Sequence, residues 1–322
     1  MKLSTVGRYC PRRSMSLIIL CGILLVVLIH HIMVGPGMRH GDIFARENIA
    51  HFEANMHKLK QDDPRLVEYI RRFWVRKPTT RPRKLSSPST TDFSQYGQSY
   101  LVDDLLKRRK NGFFLEVGAG NGEDLSDTLF FERERDWSGL LVEANRELYT
   151  GIVHRRRKAY SINACASVTK HAVRSNFTHA GFVGGLTDHF DESHKRIMDL
   201  RPESLPRAVE MVEQCFPLFS MLVAVNRTHI DYFSLDVEGS ELDILKTIPF
   251  DKVVIDIITV EYGVRGIKTR DESSIERLKA IRRFFKNLKG MYEEIGVIPS
   301  KFPDDQIEND VHGLDVIFKR KK

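Results

Sequence analysis

An apolar stretch that ends in an acid and then breaks into alternating glycines limits the folds open to this chain more than any other segment. It reads Phe113-Phe114-Leu115-Glu116-Val117-Gly118-Ala119-Gly120-Asn121-Gly122. A run this apolar suits a strand covered on both faces, and such strands belong to parallel sheets flanked by helices. Glycine at every second position then lets the backbone turn sharply and come close to a bound molecule. In open α/β sheets that turn lies at the carboxyl edge, where small molecules bind. The turn is expected to open a helix. About 20 residues further on, the run 139–143 again ends in an acid, Glu143, where the hydroxyls of a ribose would lie. Together the two elements point to a ligand that carries a nucleoside.

The pattern downstream agrees with that sheet. A helix through Leu101, Val102, Leu105 and Leu106 stops at Asn111-Gly112, before the first strand at 113–117. Further strands are expected at 139–143, 160–164, 230–236 and 253–261, with helices at 218–225, 241–247 and 273–287. The runs 293–298 and 314–319 would form a closing antiparallel pair. The expected fold is α/β and Rossmann-like, with a central, mostly parallel sheet of seven strands.

Charge narrows the ligand. The turn is Glu-x-Gly-x-Gly-x-Gly, not the Gly-x-Gly-x-x-Gly of pyrophosphate binders, and Glu116 would repel a pyrophosphate. An acidic pocket suits S-adenosylmethionine, which carries an ammonium and a sulfonium. Glu116 is also open to a second reading, as a carboxylate that caps nearby backbone amides. Farther along, Ile230-Asp231-Tyr232-Phe233-Ser234-Leu235-Asp236-Val237-Glu238-Gly239-Ser240-Glu241 places Asp236 and Glu238 at the end of a buried strand, in the crevice. Glu241 has a simpler role to hand, at the first turn of its own helix. A glycosyltransferase would read Asp236-Val237-Glu238 as a metal-binding Asp-x-Asp analogue, but this leaves the glycine turn and Glu143 unexplained.

With Asp236, Glu238, Gly239 and Glu241 the chain resembles the FkbM-type methyltransferases, whose signature after strand four is Asp-x-Glu-Gly-x-Glu. Longer blocks are similar to the Star-like proteins of animals: DDPRLVEYIR at 62–71, NGFFLEVGAGNGEDLSDTLFFE at 111–132, WSGLLVEAN at 137–145 and DYFSLDVEGSELDILKTIPFDK at 231–252. The resemblance implies an S-adenosylmethionine-dependent methyltransferase fold, with Glu116, Gly118, Gly120, Gly122, Glu143 and Asp236 as cofactor contacts. It also implies that Asp236 and Glu238 floor the crevice. Methyl transfer to a hydroxyl needs a proton acceptor, for which Glu261 and His312 are the candidates, each with a structural role as the alternative. No metal ligands are assigned. Star-like proteins are type II membrane proteins implicated in moving membrane-bound growth-factor precursors out of the endoplasmic reticulum. The resemblance therefore implies a trafficking role, with S-adenosylmethionine-dependent O-methyl transfer to a glycan or small hydroxylated substrate as the alternative. Fold alone confers no activity.

The N-terminal third reads independently of that resemblance. Residues 15–35, nearly all apolar, supply the roughly 20 residues that a helix needs to cross a bilayer. A cleaved signal peptide is the alternative, but no small-x-small site follows promptly. Lys2, Arg8, Arg12 and Arg13 precede the span and only Arg39 and Arg46 follow it closely, so 1–14 is expected as a cytosolic tail. Residues 36–92 are then a luminal stalk and linker, with 77–92 too poor in apolar side chains to fold alone, and 93–322 form the domain. This makes the chain a membrane protein of the endoplasmic reticulum, Golgi, endosome or plasma membrane. The sequons at Asn176 and Asn226 are compatible with a luminal domain. Whether Cys165 and Cys215 pair there is open. A net charge of +7 without interleaved aromatics excludes nucleic acid as the expected partner.

Overall fold

The computed structural model describes Phe44 and residues 48–199, 207–263, 272–299 and 313–321. The expected membrane span at 15–35 and the candidate base His312 lie outside these residues. Among the described residues, no helix is long and apolar enough to cross a membrane. The chain divides into two compact units, residues 1–54 and 55–322. In the first, Phe44 meets Phe52 edge-on at 5.2 Å on a short helix, α1 (Ile49–Asn55).

The second unit opens with α2 (Pro64–Tyr69), whose first turn is capped by the Asp63 carboxylate on the Arg65 amide, with proline at the first helical position. After α3 (Gln98–Leu105) come β1 (Phe113–Val117), α4 (Leu129–Glu134), β2 (Ser138–Val142), α5 (Arg146–Arg155) and β3 (Tyr160–Ile162). An inserted section carries β4 (Cys165–Ala166), β5 (Val173–His179), β6 (Gly185–Leu186), α6 (Glu192–Asp199) and β7 (Val209–Phe216). The main pattern resumes with α7 (Leu218–Ala224), β8 (His229–Leu235), α8 (Glu241–Thr247), β9 (Val254–Glu261), α9 (Glu272–Asn287), β10 (Tyr292–Pro299) and β11 (Gly313–Arg320).

The main sheet has seven strands in the order β10-β11-β9-β8-β1-β2-β3. β3, β2, β1, β8 and β9 run parallel, and β11 and β10 close the sheet antiparallel. β1 is buried at every residue, which is why its sequence shows no polar alternation. The order turns at β1, which has β2 on one side and β8 on the other. A crevice therefore opens at the carboxyl ends of β1 and β8.

Two expectations change. The glycine turn does not open a helix directly, because α4 begins only at Leu129. Glu116 and Arg157 bind the intervening loop with polar contacts that a helix would break. The expected third strand at 160–164 ends at Ile162, and Cys165 starts a separate four-stranded sheet, β4-β7-β5-β6. Residues 77–92 make polar contacts with the domain. Lacking apolar side chains, this segment is held by polar ones: the Ser86 and Ser87 amides donate to Glu123 at 2.9 and 2.7 Å, and Arg83 pairs with buried Glu132 at 2.7 Å.

Cys165 on β4 and Cys215 on β7 stand opposite each other in register and form a disulfide, with Cα atoms 4.3 Å apart. The bond ties β4 to β7 across a sequence separation of 50 and packs with Ala144, Phe177 and Leu186. Closing a loop of that length restricts the unfolded chain. Cys215→Ser is expected to lower the unfolding free energy by about 2–4 kcal/mol, as measured by urea titration. An unchanged midpoint would mean that the insertion is held by its strands alone.

Candidate active site

The crevice is an open cleft with about 990 Å³ of empty space, its mouth included. Its floor comes from the carboxyl ends of β1, β2, β8 and β9, and the insertion supplies a wall with Phe177, Phe182 and Leu186. Backbone bonds set the floor. The Gly118 and Ala119 amides both donate to the Val142 carbonyl at 3.0 and 3.1 Å, and the Asp236 amide donates to the Val117 carbonyl at 3.1 Å. Gly118 is therefore clamped between β2 and β8. With φ of +85°, it has no room for a side chain: a Cβ there would lie 1.6 Å from the Asp236 carbonyl oxygen.

Glu143, just past β2, lines the cleft as the sequence predicts. Its carboxylate accepts from the Gly120 amide at 2.8 Å and the Asn145 amide at 2.7 Å. Burial pushes it up to about 7, although both backbone bonds favour the charged form. Gly118 and Gly120 line the cleft, whereas Gly122 does not and packs against Ile152 of α5. Glu116 touches the cleft but is occupied by the loop behind it. It accepts from the Asp127 amide at 2.9 Å, from Thr128 Oγ1 at 2.6 Å and from Ser126 Oγ at 3.1 Å. Its second sequence reading, as a cap for backbone amides, matches the Asp127 contact, and the other two are hydroxyls. Burial raises its pKa, and Arg157 opposes the rise.

Asp236, Glu238 and Glu261 come together, with carboxylate oxygens within 4.8 Å of one another. Glu238 sits in the left-handed region at φ +59°, a strained conformation that side chains rarely adopt. Glu241 holds the turn that imposes it, accepting the amides of Val237 and Gly239 at 3.0 and 3.1 Å. Burial pushes Asp236 and Glu261 well above the ordinary carboxylate range, and repulsion adds to it, from Glu238 at Asp236 and from Asp236 and Glu238 at Glu261.

Sequence reasoning missed the groups beneath the turn. His194 Nε2 lies 3.4 Å from Glu238, and its Nδ1 lies 2.8 Å from Asp191, which also pairs with Arg277 at 2.8 Å. Burial opposes a charge on His194, but the bonds to Asp191 and Glu238 outweigh it and push the imidazole up to about 9. The spacing of Asp191 and His194 was the only local signal, and nothing in the sequence joins them to Glu238. Asp127 and Asp315 were also missed. Both are buried acids, bonded to Ser234 Oγ at 2.7 Å and Gln98 Nε2 at 2.8 Å respectively.

Six carboxylates thus line the cleft, those of Glu116, Asp124, Glu143, Asp236, Glu238 and Glu261, while no lysine, arginine or histidine does so among the described residues. Such a lining attracts a cationic ligand and repels phosphates.

Residues 116–289, more than half of the chain, match the family model "Methyltransferase FkbM domain". No curated protein matches the chain. Among solved structures it is similar to a methyltransferase FkbM from Methylobacillus flagellatus KT, at 12% identity and a TM-score of 0.41, over 84% of this chain. The chain spans only 58% of that protein's length. It is also similar to a TehB-like SAM-dependent methyltransferase from Corynebacterium glutamicum, at 10% identity and a TM-score of 0.36, over 70% of this chain and 88% of that one. The plantazolicin methyltransferase BpumL, solved in complex with SAH, is similar at 11% identity and a TM-score of 0.34, over 85% of this chain and 98% of that one. By the family match, the chain belongs to the methyltransferase FkbM domain family.

Proposed function

We propose that the chain is a Star-like type II membrane protein whose luminal domain binds S-adenosylmethionine and acts in the export of membrane-bound growth-factor precursors. The observation that carries the cofactor reading is that the charged side chains lining the cleft at the ends of β1, β2, β8 and β9 are all acids among the described residues. Gly118 and Gly120 would let the backbone close on the cofactor, Glu143 would accept from its ribose, and the acids would balance its sulfonium and ammonium. The disulfide supports an oxidising, luminal compartment, and Asn176 and Asn226 are both exposed. The export role draws its support from the Star-like blocks and the basic flank before residues 15–35.

A second reading, O-methyl transfer to a glycan or small hydroxylated acceptor, is favoured by the grouping of Asp236, Glu238 and Glu261. When bound, the cofactor supplies an electrophilic methyl group. The chain's own residues would orient the acceptor and take its proton.

Calorimetric titration of the full-length chain with S-adenosylmethionine and S-adenosylhomocysteine tests the cofactor reading. Micromolar binding is expected, tightening roughly tenfold between pH 6 and 8 as Glu143 passes from acid to carboxylate acceptor near 7. Glu143→Gln should weaken binding and flatten that profile. For stability the sign is opposite: between the ordinary 4.5 and about 7, the unfolded chain releases this proton first, so Glu143 destabilises the fold as pH rises. Absence of heat with either ligand would remove the cofactor from the proposal. Export of a precursor by cells carrying Glu143→Gln tells whether export needs the ligand, because export retained at wild-type level would separate it from cofactor binding.

A further inference from the structure

We propose that Asp236, Glu238 and Glu261, together with the Ser240 hydroxyl, bind a hard divalent cation, magnesium or manganese, on the floor of the cleft. The three carboxylates offer oxygens within 4.8 Å of one another, close enough for one ion to draw them in to about 2.1 Å. They come from the carboxyl ends of β8 and β9, strands paired in register from His229 to Leu235, which gives the ligands a rigid base. The donors are all oxygen, with no thiolate or imidazole in the set, which suits magnesium or manganese better than zinc.

Ser240 supplies an independent observation. It is 1% exposed, lines the same cleft and has no hydrogen-bond partner for its Oγ among the described residues. A buried hydroxyl left unpaired is costly, and a cation or its bound water would satisfy it.

A second group of acids shows what a neutralised cluster looks like in this protein. His229, Asp231 and Asp256 lie equally close together, but Arg109 bonds both carboxylates there, at 2.7 Å for Asp256. In the cleft, His194 pairs with Glu238 alone at 3.4 Å, and neither Asp236 nor Glu261 has an ion-pair partner among the described residues. The cleft cluster therefore lacks the arginine that neutralises the other group. A cation held there could bind an acceptor hydroxyl and ease its deprotonation. That last role rests on the methyl-transfer reading, whereas binding of the ion does not.

Manganese titration of the full-length chain, followed by water-proton relaxation with magnesium as competitor, tests the site. The expected result is one manganese per chain, displaced by magnesium, with affinity reduced about tenfold or more in Glu261→Gln and Asp236→Asn and less in Ser240→Ala. Circular dichroism shows which variants fold, and should Glu261→Gln fail to fold, Asp236→Asn decides. No bound manganese at millimolar concentration, or wild-type affinity in the folded variants, overturns the site. S-adenosylhomocysteine titrated into the same samples keeps the two proposals apart. Binding of that ligand without manganese removes only the cation, and manganese without that ligand upholds the cation and removes the cofactor.

Discussion

Gly118→Ala is expected to abolish ligand binding in the cleft and to cost the domain about 2–5 kcal/mol of stability. Two effects add. An alanine at φ +85° sits in a left-handed conformation that costs about 1–2 kcal/mol, and its Cβ would overlap the Asp236 carbonyl oxygen at 1.6 Å. That oxygen belongs to backbone and cannot swing aside. Either the turn after β1 or the turn after β8 must move, and the second carries Asp236 and Glu238 with it. Gly290→Ala is the matching control, because its φ of +72° imposes similar strain but nothing lies within 4 Å of the added Cβ. Urea unfolding should show a loss of about 1 kcal/mol there and a larger one at Gly118. S-adenosylhomocysteine should bind the control as it binds wild type. Binding by Gly118→Ala within threefold of wild type would mean that the close approach of β1 and β8 does not shape the site.

The parts of this fold that could be read from sequence are those buried on both sides. β1 and α8 lie at the residues expected, and β8 and β9 within one residue at each end, because strands covered on both faces form mainly apolar runs. The inserted sheet escaped notice for the opposite reason. β7 begins with four exposed residues and mixes Val209, Met211 and Val212 with glutamates, while β4 and β6 are two residues long. Such strands owe their pairing to the disulfide and to one another, not to a period in the sequence. The same division holds in the cleft. Gly118, Glu143, Asp236 and Glu261 were legible because each stands at or just past the end of a buried strand. Glu116 pointed to the cleft by its spacing, yet the loop behind it takes up its oxygens. His194 meets Glu238 from the insertion, and Arg277 meets His194 from a distant helix, contacts that no local pattern encodes. Pairing of Cys165 with Cys215 stayed open until the register of β4 and β7 was known.

Arg157→Met should destabilise the domain by about 3–5 kcal/mol, more than any exposed charge substitution, because Arg157 binds the glycine loop from inside the protein. The residue is 3% exposed. Its guanidinium bonds Glu132 at 2.9 Å, the Gly122 carbonyl at 2.7 Å, Ser126 Oγ at 3.2 Å and Thr128 Oγ1 at 3.1 Å. Methionine matches its length but offers no donors. The Gly122 carbonyl would lose this partner, and Glu132 would retain Arg83 and the Lys158 amide as its remaining support. Lys246→Met, at an exposed pair with Asp243, should cost under about 1 kcal/mol by comparison. The pH dependence identifies the cause. Burial alone would raise Glu132, but Arg157 and Arg83 hold it below the usual 4.5, so in the wild type it adds stability above that pH and loses it as pH falls. Without Arg157 the buried carboxylate moves up and favours its proton, which makes the variant weakest at neutral pH. The gap between the two proteins in urea unfolding should therefore be wide at pH 7 and narrow toward pH 5. A gap of constant size would assign the loss to packing and to the neutral hydrogen bonds, and would clear the ion pair with Glu132 of any part in holding the loop.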